Sequence, residues 1–207
     1  MSDAVEKIEH RGYTIEVCPD PDPMDPRKEF DNLGTMVCFH RRYELGDKLD
    51  LRAEDFRGWD EVEEHLRKSL GAVIVLPLYL YDHGGLRMKV GSFQGHLPQG
   101  HAEFDSGQVG FIYITADKIR EEFGDSKSLE EVADYLRSEV DLYDDFLSGS
   151  VYGYRILDPN GEEVDACVGF YGYDHEKSGL LGSARDEIDA VIAHEEKLYG
   201  IQQKLQL

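Results

Sequence analysis

Ala72-Val73-Ile74-Val75-Leu76-Pro77-Leu78-Tyr79-Leu80-Tyr81 runs apolar without a break and then stops at Asp82-His83-Gly84-Gly85. Ten aliphatic, β-branched and aromatic residues closed by a glycine pair read as a strand buried on both faces. This stretch is therefore expected to be the middle of the core. Asp82 and His83 mark where the chain leaves the sheet, and strand ends are where sites are commonly built.

Upstream, Tyr13, Ile15 and Val17 alternate with Thr14 and Glu16, the pattern of a half-buried strand over Gly12–Cys18. Residues 1–10 are charged and are expected to be flexible. In 19–30, Pro19, Pro21, Pro23 and Pro26 are interspersed with acids, which predicts an extended surface loop. Gly34–Tyr43 reads as a second strand, with Met36, Cys38, His40 and Arg42 on one face. Trp59–Leu70 carries Val62, Leu66 and Leu70 at helical spacing, and Gly71 turns it into the apolar run.

Downstream, 84–107 is a glycine-rich loop with a short strand, Leu86–Val90, inside it; so long a connection is often functional. Val109–Thr115 reads as a strand that runs into a helix, Ala116–Phe123, with Thr115 as N-cap. Ser128-Leu129-Glu130-Glu131 is a capping box that opens a helix over Leu129–Leu147. Val132, Leu136, Val140 and Tyr143 lie on its apolar stripe, and Glu130, Asp134, Asp141 and Asp145 lie away from it. Ser150–Leu157 and Glu163–Tyr171 flank Asp158-Pro159-Asn160-Gly161, an antiparallel hairpin. A last helix begins at about Leu180 and sets Ile188, Val191, Ile192, Leu198 and Ile201 on one face. Hairpin-linked strands interrupted by helices predict one α+β domain over 1–207, a mixed or mainly antiparallel sheet with helices packed on it.

The 207 residues carry 43 acids against 22 bases, a formal charge of −21. A field of that sign repels nucleic-acid backbones and anionic membranes, so neither is expected as a direct partner. Three readings of the acidity stay open: solubility or salt adaptation, an acidic face that docks a basic partner, and imitation of nucleic acid. Three cysteines without a CxxC pair suggest reduced thiols. The charged N-terminus and the absence of a membrane-length apolar run predict a cytoplasmic protein.

His40, Asp82, His83 and Asp105 sit at or near strand ends and are the candidate catalytic residues of a His/carboxylate site. His40, His83 and Asp105 are the candidate ligands if a divalent metal is used. No metal-binding or phosphate-loop motif appears, and no cofactor is expected otherwise. Cys38 as a nucleophile beside His40 is a weaker reading, because free cysteine is more often inert core. Arg41 and Arg42 form a rare basic island that would grip a phosphate or carboxylate, or else pair with Asp31, Asp47 or Asp82. Asp134, Asp141 and Asp145 on the long helix would present carboxylates to a basic partner.

The segments Asp31-Asn32-Leu33-Gly34-Thr35-Met36-Val37-Cys38-Phe39-His40-Arg41-Arg42-Tyr43-Glu44-Leu45-Gly46-Asp47, Leu76–Gly84 and Asp105-Ser106-Gly107-Gln108-Val109-Gly110-Phe111-Ile112-Tyr113 resemble an uncharacterised family carried by bacteriophages and other mobile elements. Tyr143–Tyr154 and Gly169-Phe170-Tyr171-Gly172 extend the resemblance. Phe104 and the long Gly91–Glu103 link depart from the family pattern. The resemblance implies a context and no chemistry: an accessory protein of a phage, archaeal virus or mobile element. The expected function is binding of a host or viral protein, a basic nucleic-acid-binding protein among the candidates. Counter-defence of the anti-restriction or anti-CRISPR type, with nucleic-acid mimicry as one route, is the role this context suggests. The alternatives are a hydrolase built on the His/Asp residues and an assembly protein that oligomerises through the C-terminal helix.

Overall fold

The computed structural model describes residues 3–95 and 104–205, with side chains described through Leu198. In chain order, the first half holds β1 (Glu6–His10), β2 (Tyr13–Pro19), α1 (Pro26–Glu29), β3 (Thr35–Cys38), α2 (Trp59–Lys68), β4 (Ala72–Asp82) and β5 (Leu86–Val90). The second half holds β6 (Ser106–Thr115), α3 (Ala116–Phe123), α4 (Leu129–Leu147), β7 (Val151–Leu157), β8 (Glu163–Tyr171) and α5 (Leu180–Leu205). The class is α+β with antiparallel sheets, as expected, and the strands form two sheets instead of one. The chain divides into two compact units, Met1–Pro23 with Gly149–Leu207, and Met24–Ser148.

The first unit has strand order β1-β2-β7-β8, every neighbouring pair antiparallel. Tyr13, Ile15, Val17, Tyr154 and Ile156 pack against Leu180, Leu181, Ala184 and Ile188 of α5. Residues 6–10, expected to be flexible, are instead a strand paired through Ile8↔Ile15. The two-residue connection Arg11-Gly12 has φ of +50° and +88°, the left-handed pair whose twist matches a tight hairpin. Glu16 is buried between Lys7 (2.6 Å) and Arg155. The Lys7 hydrogen bond leads in holding its carboxyl below the usual range; burial opposes this and Arg155 adds to it. The apolar stripe of α5 from Leu180 through Ile192 is committed to this core, whereas Leu198 is exposed. Ile201, the last residue of the stripe proposed for oligomerisation, has its side chain outside the described residues.

The second unit has strand order β3-β6-β4-β5. On one face Met36, Ile74, Leu78, Ile112 and Ile114 meet Val132, Leu136, Val140 and Tyr143 of α4. On the other, Val37, Val75, Phe111 and Tyr113 meet Val62 and Leu66 of α2. The apolar run is thus covered on both sides, as its sequence predicts. Pro77 is tolerated inside it because its carbonyl accepts from Gly91 N (2.9 Å) on the β5 side, just where that ladder ends at Val90.

Two expectations are corrected here. The Pro/Asp-rich 19–30 segment is not loop throughout: Asp25 caps α1 by accepting from Arg27 N (2.9 Å), and Pro26 sits in the first turn, where a missing N–H costs nothing. The second strand ends at Cys38, well short of Tyr43. Beyond it the His40 ring accepts the backbone N–H groups of Arg42 and Tyr43 (3.3 Å each), and this local bonding turns the chain off the sheet. In the glycine-rich 84–107 stretch β5 forms as expected, and residues 96–103 lie outside the described residues. Among the described residues no helix is long and apolar enough to cross a membrane.

Candidate functional site

A cavity of about 880 Å³ opens in the second unit between the end of β3, the 39–58 connection and the start of α2. Asp47, in its lining, is held by Arg27, whose side chain is 1% exposed. That guanidinium donates to both oxygens of Asp47 (2.9 and 2.6 Å), to Glu139 (3.0 Å) and to the Gly34 carbonyl (2.7 Å). Burial works against its charge, and the two carboxylates overcome that, leaving its pKa raised. Asp47 also accepts Met36 N (2.8 Å), and Asp47 N donates to Met36 O (2.9 Å), so the loop is stapled back onto β3. Gly46 makes the closure possible: it has φ +70°, and a Cβ there would stand 2.8 Å from the Met36 carbonyl. Its N–H donates to the buried Tyr143 hydroxyl (3.2 Å).

One wall is aromatic. Phe39 stacks on Trp59 (centroids 6.0 Å, 15°) and on Phe56 (6.2 Å, 30°), and Trp59 meets Phe111 edge-on (5.9 Å). The lining also holds polar and basic side chains, His40, Arg41, Lys48 and Arg52 among them. His40 stacks on Tyr43 (5.0 Å, 13°), over which the Arg42 guanidinium also lies (5.3 Å). Because the His40 Nδ1 accepts backbone N–H groups, its neutral form carries the proton on Nε2.

The four candidate catalytic residues do not form one centre. Asp82 pairs with Arg42, one of the pairings expected of the basic island. His83 Nδ1 meets Asp105 at 3.1 Å, brought there because Asp82 N donates to the Asp105 carbonyl (2.9 Å) where the sheet ends. That pair is open to solvent, the His83 side chain being 57% exposed. His40 is engaged with the backbone and Tyr43. The expected metal trio of His40, His83 and Asp105 does not assemble, and among the described residues no three His, Cys, Asp or Glu side chains come together as a metal-holding group. Cys38 does not share a strand face with His40, and burial, with Asp47 adding, pushes its thiol up to about 12.

Of the acids on α4, Asp134 pairs with Arg137 (2.9 Å). Asp144 accepts from Arg87 (2.7 Å) and from Met88 N (2.6 Å). Asp141 and Asp145 have raised pKa values, by partial burial first and then by the neighbouring Asp144.

The residues that organise this region most, Arg27, Asp47 and Glu139, and the wall of Phe39, Phe56 and Trp59, were not among the sequence candidates, although Asp47 was a possible arginine partner. The Asp25-Pro26 pair was a readable helix start; the convergence of Glu139 on Arg27 leaves no local trace. A scan against protein-family models finds no match, and searches of curated proteins and of solved structures find none either.

Proposed function

We propose that this chain is an acidic binding protein that acts by docking another protein, in the accessory, counter-defence role that its resemblance to a mobile-element family suggests. The observation that carries the reading is the C-terminal end of α4. Asp141, Asp144 and Asp145 crowd into its last two turns, with no basic residue in the last turn of the helix itself. Arg87 of β5 pairs with Asp144, and Lys89 and Arg87 offset Asp141 and Asp145 only in part. Negative charge there opposes the helix dipole. Two of these carboxyls already sit at raised pKa values, so the fold gains nothing from their charge. Local electrostatics that work against the fold point to a use outside it. A positively charged patch on a partner, of the kind nucleic-acid-binding proteins present, would remove the repulsion on docking.

The hydrolase reading keeps one supporting contact, the His83–Asp105 pair. Its expected companions, His40 and Asp82, are held by other groups. Affinity capture from prokaryotic lysate at low salt, run in parallel with Asp134→Asn/Asp141→Asn/Asp145→Asn, tests the docking reading. A basic protein retained by the wild-type chain, released by salt and lost with the triple variant is the expected result. Identical recoveries by both chains would overturn it.

A further inference from the structure

We propose that the cavity beside α2 binds a small nucleotide, its base against Phe39, Phe56 and Trp59 and its phosphate at Arg41 and Lys48. The volume of about 880 Å³ suits a ligand of that size. Phe39, Phe56 and Trp59 line the cavity as one cluster of mutually stacked rings, a partly buried aromatic surface against which a flat base would pack.

The cations carry the second half of the argument. In a chain of net charge −21, basic side chains are expected to be claimed by acids. Most around the cavity are: Lys28 pairs with Asp25 (2.8 Å), Arg52 lies 3.7 Å from Glu54, and Arg42 is held by Asp82. Arg41 and Lys48 line the cavity and make no ion pair among the described residues. Two of the three acids that share the lining are engaged, Asp25 with Lys28 and Asp47 with Arg27, and the third, Glu44, acts on Lys28 only at a distance. His40, with its Nδ1 occupied by the backbone, has Nε2–H left to donate to a ligand oxygen. A guanidinium, an ammonium and an imidazole N–H beside a stacking wall match a phosphate joined to a base. The overall field decides the length of the ligand. The net negative charge opposes every anion, but a mononucleotide brings about two charges where a strand brings about one per nucleotide, so the local cations offset the repulsion only for the short ligand.

Trp59 is the chain's only tryptophan, so its emission reports occupancy directly. The full chain is titrated with adenosine 5′-monophosphate, with adenosine, inorganic phosphate and a short single-stranded oligoadenylate as separate arms. The expected result is saturable quenching by the monophosphate, at least about tenfold weaker binding of adenosine or phosphate alone, and none of the strand. Arg41→Glu/Lys48→Glu, two solvent-facing changes, is expected to weaken the monophosphate at least about tenfold while melting as the wild type does. Trp59→Phe, followed by calorimetry, keeps a stacking ring and is expected to bind. Failure of the monophosphate to bind, adenosine or phosphate binding as tightly as it does, saturable binding of the strand, or an unaffected charge-reversal variant would each overturn the proposal. The docking reading is tested through α4 and stands or falls separately.

Discussion

Arg27→Met would remove the cation that, among the described residues, neutralises Asp47 and Glu139 inside the Met24–Ser148 unit. Methionine keeps most of the side-chain volume, so the perturbation is chiefly electrostatic. Asp47 and Glu139 are 21% and 17% exposed at their side chains, and they keep their backbone donors Met36 N, Leu33 N and Gly34 N. Breaking a buried pair from one side typically costs about 3–5 kcal/mol, and these retained donors place the loss near about 3 kcal/mol. In a chain of this length each kcal/mol moves the midpoint by about 2–4 °C, so a fall of about 6–12 °C is expected. Trp59 lies in the same unit, and its fluorescence follows that unit through urea and thermal unfolding. Arg57→Ala, which removes a solvent-facing pair with Glu61 just ahead of α2, is the blank. The triple change Arg27→Met/Asp47→Asn/Glu139→Gln leaves no charge behind and is expected to recover much of the loss. An Arg27→Met cost under about 1 kcal/mol, or a triple variant no better than the single, would show that the network does not hold the loop.

Three further outcomes follow from the same geometry. Of the three thiols, Cys167 is exposed and Cys18 is fully buried, and the Cys38 thiol is pushed up to about 12; a disulfide-exchange reagent at about pH 8 should label one thiol quickly and the other two only on unfolding. Glu131 is held down to about 2, first by the Ser128 N–H, so the capping contribution is complete above about 4.3 and is lost as pH falls toward about 2. Helicity near 222 nm should drop through that window, Glu131→Gln should flatten the drop, and Ser128→Ala should cost about 1 kcal/mol at neutral pH. Raised carboxyl pKa values at Asp141 and Asp145 mean that stability falls as pH rises through and above the unfolded carboxyl range. Asn at either position should therefore raise the melting temperature at neutral pH and change it little at about pH 3, where both states are protonated; a variant that melts lower at neutral pH would contradict this.

What could be read from the sequence was what neighbouring residues settle between themselves. Ser128 and Glu131 face each other across one helical turn, and Asp158-Pro159-Asn160-Gly161 folds on its own side chains, so α4 and the β7–β8 hairpin were visible at once. The run at Ala72 announced its double burial by apolarity alone. β1 gave no such sign: Glu6-Lys7-Ile8-Glu9-His10 has one apolar residue, and its turn puts Arg11, instead of Asn or Asp, at positive φ. The early end of β3 depends on which way the His40 ring turns, and periodicity carries no information about that. The split into two sheets lies further out of reach. β2 takes its partner from β7, more than a hundred residues later, and nothing in either strand names the other.

The placement of the charges bears on the three readings that the bare composition left open. Where a carboxylate holds the fold, it is matched: Asp47 and Glu139 by Arg27, Glu16 by Lys7 and Arg155, Asp144 by Arg87. These few sites use arginine's fork, or a lysine reaching in from the surface. Salt adaptation alone would put the surplus acids where they are cheapest, far apart and in open water. Asp141 and Asp145 are instead partly desolvated, beside a third carboxylate and at the wrong end of a helix. Arg41 and Lys48 break the pattern with the opposite sign, as cavity-lining cations that make no ion pair among the described residues. Two departures of opposite charge, on different elements of one unit, are hard to derive from a single demand for solubility. They are what two binding surfaces of opposite preference would leave, one for a basic partner and one for a small anion.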